Sequence, residues 1–157
     1  MTKEAKQEYT LRISQANKSA MVVIIYEMLL DYLADCRENL KKEDKTDFHD
    51  SIRKAVNCIR ELSNSINYQM TTAGNLLSLN VFCIKELSGA DLHCTEEGIN
   101  NTELIMKKLY EACKEAGKHD DSAPIMNNSQ TVYAGLTYGK ESLVVNLGDT
   151  GNRGFTI

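Results

Sequence analysis

The chain has 157 residues, of which 42% are hydrophobic and 25% are charged, a composition typical of one globular domain. Its formal net charge of −4 argues against a nucleic-acid-binding protein, since such proteins normally present a basic face. No apolar run approaches the roughly 20 residues of a membrane-spanning helix, and the N-terminus lacks the apolar stretch of a signal peptide. We therefore expect a cytoplasmic protein that does not insert into membranes.

The cysteine pattern argues against a disulfide-bonded scaffold. The five cysteines are an odd number, spread from Cys36 to Cys113 without any Cys-x-x-Cys pair. Four of them lie in helical patterns on or beside the apolar side, where a free thiol packs as a small hydrophobic group. We expect reduced cysteines that fill the core, as is usual in a reducing compartment.

Glycine and proline divide the chain into two parts. Before Gly89 there is only Gly74, whereas the other eight glycines and the single proline lie from Gly89 onward. The predicted units are a helical bundle over residues 1–117, comprising an N-terminal segment 1–16 and a core 17–117, and an extension over residues 118–157.

The N-terminal half of the bundle begins with a short predicted helix over residues 3–15, which carries Tyr9 and Ile13 at helical spacing. A long helix follows, and either Asn17 or Ser19 can cap it by accepting a hydrogen bond from an exposed backbone N–H. Its apolar residues are three and four positions apart, which predicts a buried stripe ending at the charged turn 41–45: Met21, Ile25, Met28, Leu29, Tyr32, Leu33, Cys36 and Leu40.

The next two predicted helices differ in their patterns. In one of them Thr46 is the predicted N-cap, and the apolar residues form a narrow seam suited to antiparallel packing. The other begins after Thr71 or Thr72 and ends at Gly89, and it is apolar around most of its circumference, which indicates a central position or a second partner. The apolar residues are Phe48, Ile52, Ala55, Ile59, Leu62 and Ile66 in the first, and Leu76, Leu77, Leu79, Val81, Phe82, Cys83, Ile84 and Leu87 in the second.

A last helix is predicted from about Asn101 to Ala116, with Gly117 ending it. Four long helices with short connections favour an all-α fold, an antiparallel up-and-down four-helix bundle. In the extension, apolar residues alternate with polar or small ones on both sides of residues 138–141, which predicts a β-hairpin. An isolated hairpin is only marginally stable, so this one would have to pack on the bundle or on another chain.

The sequence offers no combination of residues suited to catalysis or metal binding. The three histidines, His49, His93 and His119, are scattered and form neither Glu-x-x-His nor His-x-x-x-His. No cysteine has a nearby histidine partner apart from the adjacent His93-Cys94 pair. We therefore expect a binding protein rather than an enzyme, with no metal and no cofactor.

Several short motifs within residues 17–116 resemble the FliS family of flagellar export chaperones. Ile25-Tyr26-Glu27 corresponds to that family's Leu-Tyr-Asp in the first long helix. The family's Ile-Arg-Glu-Leu and Asn-Leu motifs correspond to Ile59-Arg60-Glu61-Leu62 and Asn75-Leu76. The sequence departs from the family at Lys18-Ser19, where Pro-Glu is usual, and at two aromatic positions, occupied by Asn80 and Ile84.

This resemblance implies a chaperone that binds the disordered C-terminal segment of flagellin and blocks its premature polymerisation before type III secretion. It also implies apolar helix grooves as the binding site, with components of the flagellar export apparatus as further partners. We take Met21, Ile25, Leu76, Leu79 and Ile84 as candidate groove residues, Tyr26 and Asn75 as residues carried over from the family, and Tyr9 and Ile13 as part of a segment that covers the groove without client.

Two alternatives stay open on the sequence alone. Each aliphatic candidate has the same spacing as a core residue, so it can equally be part of the bundle interior. The same apolar surface can also serve self-association, and a homodimeric helical-bundle scaffold or regulatory protein is the alternative function.

Overall fold

The structure, a computed structural model, describes residues 2–126. Five helices account for most of this part of the chain. α2 packs against α3 and α5, and α4 packs against the same two helices, so these four form a closed ring. α1 packs outside the ring against α2. Short connections between consecutive helices make them antiparallel, which confirms the helical bundle. The helices are α1 (Lys3–Gln15), α2 (Lys18–Lys41), α3 (Lys45–Asn64), α4 (Ala73–His93) and α5 (Glu97–Gly117).

The extension is only partly covered by the structure. Residues 118–126 follow α5 without helix or strand, and the hairpin predicted around residues 138–141 lies outside the described residues. Within residues 2–126, every helix is too short or too polar to cross a membrane.

Side-chain caps determine where α2 and α3 begin. The Asn17 side-chain oxygen accepts a hydrogen bond from the amide of Ala20 at 2.8 Å, so Asn17 rather than Ser19 is the N-cap of α2. At α3 the predicted cap Thr46 was wrong. Asp44 accepts from the amide of Asp47 at 3.0 Å, and a carboxylate there also interacts favourably with the positive end of the helix.

The boundary between α4 and α5 also differs from the prediction. Gly89 does not end α4, which continues to His93 and terminates at Cys94, a residue in the left-handed conformation with φ 51°. α5 begins at Glu97, earlier than the expected Asn101, and Gly98 lies in its first turn. A glycine is needed here because a Cβ atom on Gly98 would lie 2.2 Å from the carbonyl oxygen of Glu86 in α4.

The centre of the ring is filled by large aliphatic and aromatic side chains. Every helix of the ring contributes at least one residue that is at most 1% exposed, among them Leu29, Leu33, Phe48, Ile59, Leu87, Ile99 and Met106. All five cysteines are free. Cys36, Cys58 and Cys83 belong to this core, and burial raises the pKa of Cys36 to about 12 and those of Cys58 and Cys83 to about 11. These thiols are therefore protonated and packed as hydrophobic groups, as predicted.

Replacing Gly98 by alanine tests the close approach of α4 and α5. We expect Gly98→Ala to lower the free energy of unfolding by about 1–3 kcal/mol, since the new methyl group must push the two backbones apart. The matched control is Gly89→Ala in α4, where a Cβ atom meets nothing within 4 Å. That variant should instead be stabilised, by up to about 1 kcal/mol through helix propensity. Urea unfolding followed by circular dichroism measures both, and equal stabilisation of the two variants would contradict the packing argument.

Candidate functional site

α1 is attached to the bundle mainly by polar contacts with α2. The Tyr9 hydroxyl donates to the Asp31 carboxylate at 2.8 Å, and Arg12 forms an ion pair with Glu27 at 2.5 Å. Glu27 also accepts a hydrogen bond from the Tyr110 hydroxyl of α5 at 3.0 Å, so one carboxylate connects three helices. The only fully buried residue of α1 is Ser14. α1 therefore contributes little apolar burial, and its attachment depends on a few exchangeable contacts.

The first groove runs between α2 and α3 and is partly covered by α1. It has a volume of about 410 Å³, and Lys54, Asn57 and Glu61 of α3 form its polar edge. Its apolar lining brings together three of the residues proposed from the sequence, Ile13, Met21 and Ile25, with Met28, Tyr32 and Cys58.

The second groove lies near the end of the bundle where α2 begins. Tyr26 and Leu76, two further residues proposed from the sequence, line it together with Val22, Leu62, Ile66 and Met70, and its volume is about 230 Å³. Tyr26 is 5% exposed and forms a hydrogen bond with Cys113. Burial, followed by the interactions with Cys113, raises the pKa of the Tyr26 hydroxyl above its ordinary value. The ring of Tyr26 is thus part of the floor of this groove.

The remaining proposed residues on α4 are not gathered in either groove. Leu79 is half-buried, and Ile84 is half-buried and packs against the core. Asn75 is exposed in the first turn. Asn80, at a position where the family has an aromatic residue, is buried and donates to the Ser63 hydroxyl at 2.9 Å. Asn80 thus connects α4 to the end of α3, and unlike the three residues above it lines the second groove.

α4 carries exposed apolar side chains that were not among the sequence candidates. Val81 is 52% exposed, Phe82 is 44% exposed and Leu92 is 77% exposed. The sequence did indicate that Val81 and Phe82 could be exposed, because α4 is apolar around most of its circumference. Periodicity did not, however, distinguish the outer side of α4 from its inner side. Leu92 was missed because the helix was expected to end at Gly89.

The described residues provide no metal site. Between residues 2 and 126, no three histidine, cysteine, aspartate or glutamate side chains are grouped so that they could hold an ion. His49 instead contacts Asp91 across the α3–α4 surface, with 2.7 Å between Nδ1 and Oδ1.

Two apolar grooves on a helical bundle, with further apolar side chains exposed on α4, define a protein suited to binding a peptide segment. The model of the family described as "Flagellar protein FliS" matches residues 1–120 of this chain. The chain belongs to the FliS family, whose role is that of a flagellar export chaperone. The match includes α1, which lay outside the motifs recognised in the sequence. A comparison with curated proteins found no significant match.

The contact between Tyr9 and Asp31 has a consequence at alkaline pH. Burial, followed by the hydrogen bond to the Asp31 carboxylate, raises the pKa of the Tyr9 hydroxyl above its ordinary value. The stabilising contribution of the protonated hydroxyl is therefore complete below about pH 10 and is lost as the pH rises through the folded-state pKa. Subtracting the tyrosinate absorbance of Tyr9→Phe from that of the parent should give a titration midpoint above 10. A midpoint at the ordinary value would show that this contact does not form in solution.

Proposed function

We propose that this chain is a cytosolic chaperone that binds the C-terminal segment of flagellin along the two grooves and the exposed side chains of α4. In this role it prevents premature polymerisation and delivers flagellin to the flagellar type III export apparatus. Membership of the FliS family supports the chaperone role, and the grooves support the mode of binding.

The observation that carries this proposal is the use of α2 for two purposes. One side of α2 is buried in the core, while the N-terminal half also lines the first groove through Met21 and Ile25 and the second through Val22 and Tyr26. A groove lined at helical spacing by aliphatic side chains fits the apolar face of an amphipathic client helix.

The size of the grooves indicates an extended client. A disordered segment that folds on binding typically buries about 1,000–3,000 Å², because it must recover roughly 2–5 kcal/mol of ordering free energy. One shallow groove is too small to provide this area. A larger area would be buried by a segment whose successive helical turns lie in the first groove, in the second groove and over Val81 and Phe82 of α4.

Binding should require the groove residues specifically. We expect a peptide of the last ~40 residues of the same organism's flagellin, several helical turns long, to bind one-to-one with a large negative heat-capacity change. Ile25→Ala and Leu76→Ala should each weaken binding about five- to thirtyfold, as for anchor residues of an interface. Leu104→Ala is the matched control, since Leu104 is 61% exposed on α5 and lines neither groove. Isothermal titration calorimetry measures all three variants, and equal affinity for parent and groove variants would refute this binding site.

α1 should compete with the client, because α1 partly covers the first groove and Ile13 is part of its lining. A tethered segment competes at high effective concentration, so removing residues 1–15 should tighten peptide binding, by about three- to thirtyfold if α1 covers the groove most of the time. Ile13→Ser provides a full-length variant that withdraws only the groove contact. Unchanged affinity in both the deletion and Ile13→Ser would mean that the client does not use the first groove.

Self-association is the second candidate, favoured by the exposure of Val81, Phe82 and Leu92 on one helix. A second copy of the chain could cover these side chains as well as a client could. Sedimentation equilibrium distinguishes the two functions. A monomer mass that is independent of concentration would support the chaperone, whereas a dimer that dissociates on peptide addition would show that both partners use the same surface.

A further inference from the structure

The segment that follows α5 returns across the joint between α1 and α2. We call residues 118–126 the strap. The amide of Ile125 in the strap donates to the carbonyl oxygen of Ala16 at 3.0 Å. Ala16 lies between the two helices and is only 4% exposed. The strap therefore contacts the backbone where the chain changes direction from α1 to α2.

Side-chain contacts strengthen this connection, and Asn17 is at their centre. Its oxygen caps α2 through the Ala20 amide, while its Nδ2 donates to the carbonyl oxygen of Asp120 at 2.7 Å and to that of Ser122 at 3.4 Å. The Ser19 hydroxyl donates to the Asp120 carboxylate, which also accepts from the Ser122 amide at 3.1 Å. The joint and the strap are thus linked by both backbone and side chains.

The Asp120 carboxylate is ionised at neutral pH. Hydrogen bonds from Ser122 and Ser19 lower its pKa to about 2. In this state the carboxylate can only accept hydrogen bonds, and its donors are the Ser19 hydroxyl and the Ser122 amide.

We propose that the strap controls how readily α1 uncovers the first groove, by holding the joint at Ala16 and Asn17. α1 alone has little buried surface and is held by the Tyr9 and Arg12 contacts, so the orientation of its C-terminal end matters for whether Ile13 stays at the edge of the groove. Release of the strap frees that end and shifts the population towards the uncovered groove. The consequence for client binding rests on the proposed function, whereas the consequence for α1 does not.

The substitution Asn17→Asp separates the strap contact from the helix cap. Aspartate is as good an N-cap as asparagine, so the bond to the Ala20 amide is kept. The amide donor is lost, and a carboxylate now faces the carbonyl oxygens of Asp120 and Ser122. In hydrogen–deuterium exchange of the full chain, we expect protection of residues 5–15 to fall about five- to tenfold, as for the loss of one or two hydrogen bonds. Protection of α3, α4 and α5 should not change.

Two further variants complete the test. Asp120→Ala removes the acceptor for Ser19 and should expose α1 to exchange in the same way. Asp121→Asn is the matched control, because Asp121 is the exposed neighbour of Asp120 and its substitution should leave α1 protection unchanged. Unchanged α1 protection in both Asn17→Asp and Asp120→Ala would overturn the proposal. Loss of protection in α2 equal to that in α1 would also overturn it, since the contacts would then stabilise α2 and not the position of α1.

Titration of the same variants with the flagellin peptide distinguishes this inference from the proposed function. Release of α1 together with severalfold tighter peptide binding supports both. Release of α1 with unchanged affinity supports the strap and counts against competition by α1. An affinity that rises without any change in α1 protection counts against the strap.

Discussion

The structure depends on the burial of α2 between α3 and α5. α2 is the helix that contacts three others, and its residues Leu29, Leu33 and Cys36 are completely buried. Full burial of each such aliphatic side chain contributes about 1.5–3 kcal/mol, which is more than any single polar contact on the surface of this bundle is expected to provide. Burial of Leu29, Leu33 and Cys36 fixes the rotation of α2 about its axis. It therefore also determines the direction of the side chains in the N-terminal half of α2. Met21 and Ile25 consequently face the first groove and Tyr26 the floor of the second.

The two kinds of interaction in this protein have different strengths and different uses. The ring of four helices is held by apolar packing that cannot be exchanged for contacts with water. α1 and the strap are held by hydrogen bonds and an ion pair, such as Tyr9 with Asp31 and Asn17 with Asp120, for which water is a reasonable substitute. The proposed function requires this separation, because the groove proposed for the client must be uncovered without loss of the scaffold. The polar attachment of α1 fits that requirement.

Local signals predicted the helices well but misjudged some of their ends. The glycines illustrate the reason. Gly89 has the residue type of a C-cap, yet α4 continues past it, whereas Gly98 was not singled out although the carbonyl of Glu86 leaves no space for any other residue. Whether a glycine ends a helix or allows two helices to approach closely depends on the position of the neighbouring helix. The sequence around the glycine does not contain that information. The predicted hairpin in the extension stays a prediction.

The sequence by itself determined the number, order and approximate extent of the helices, and its motifs identified the family. Helical periodicity and N-capping are properties of consecutive residues, so they can be read without knowledge of the fold. Only the tertiary structure decided which apolar side chains are covered. Tyr26 and Phe82 are both aromatic residues in apolar helices, yet one is 5% and the other 44% exposed. Exposure depends on which neighbours pack over a side chain. Those neighbours, such as the strap at Asn17, are brought together only by folding.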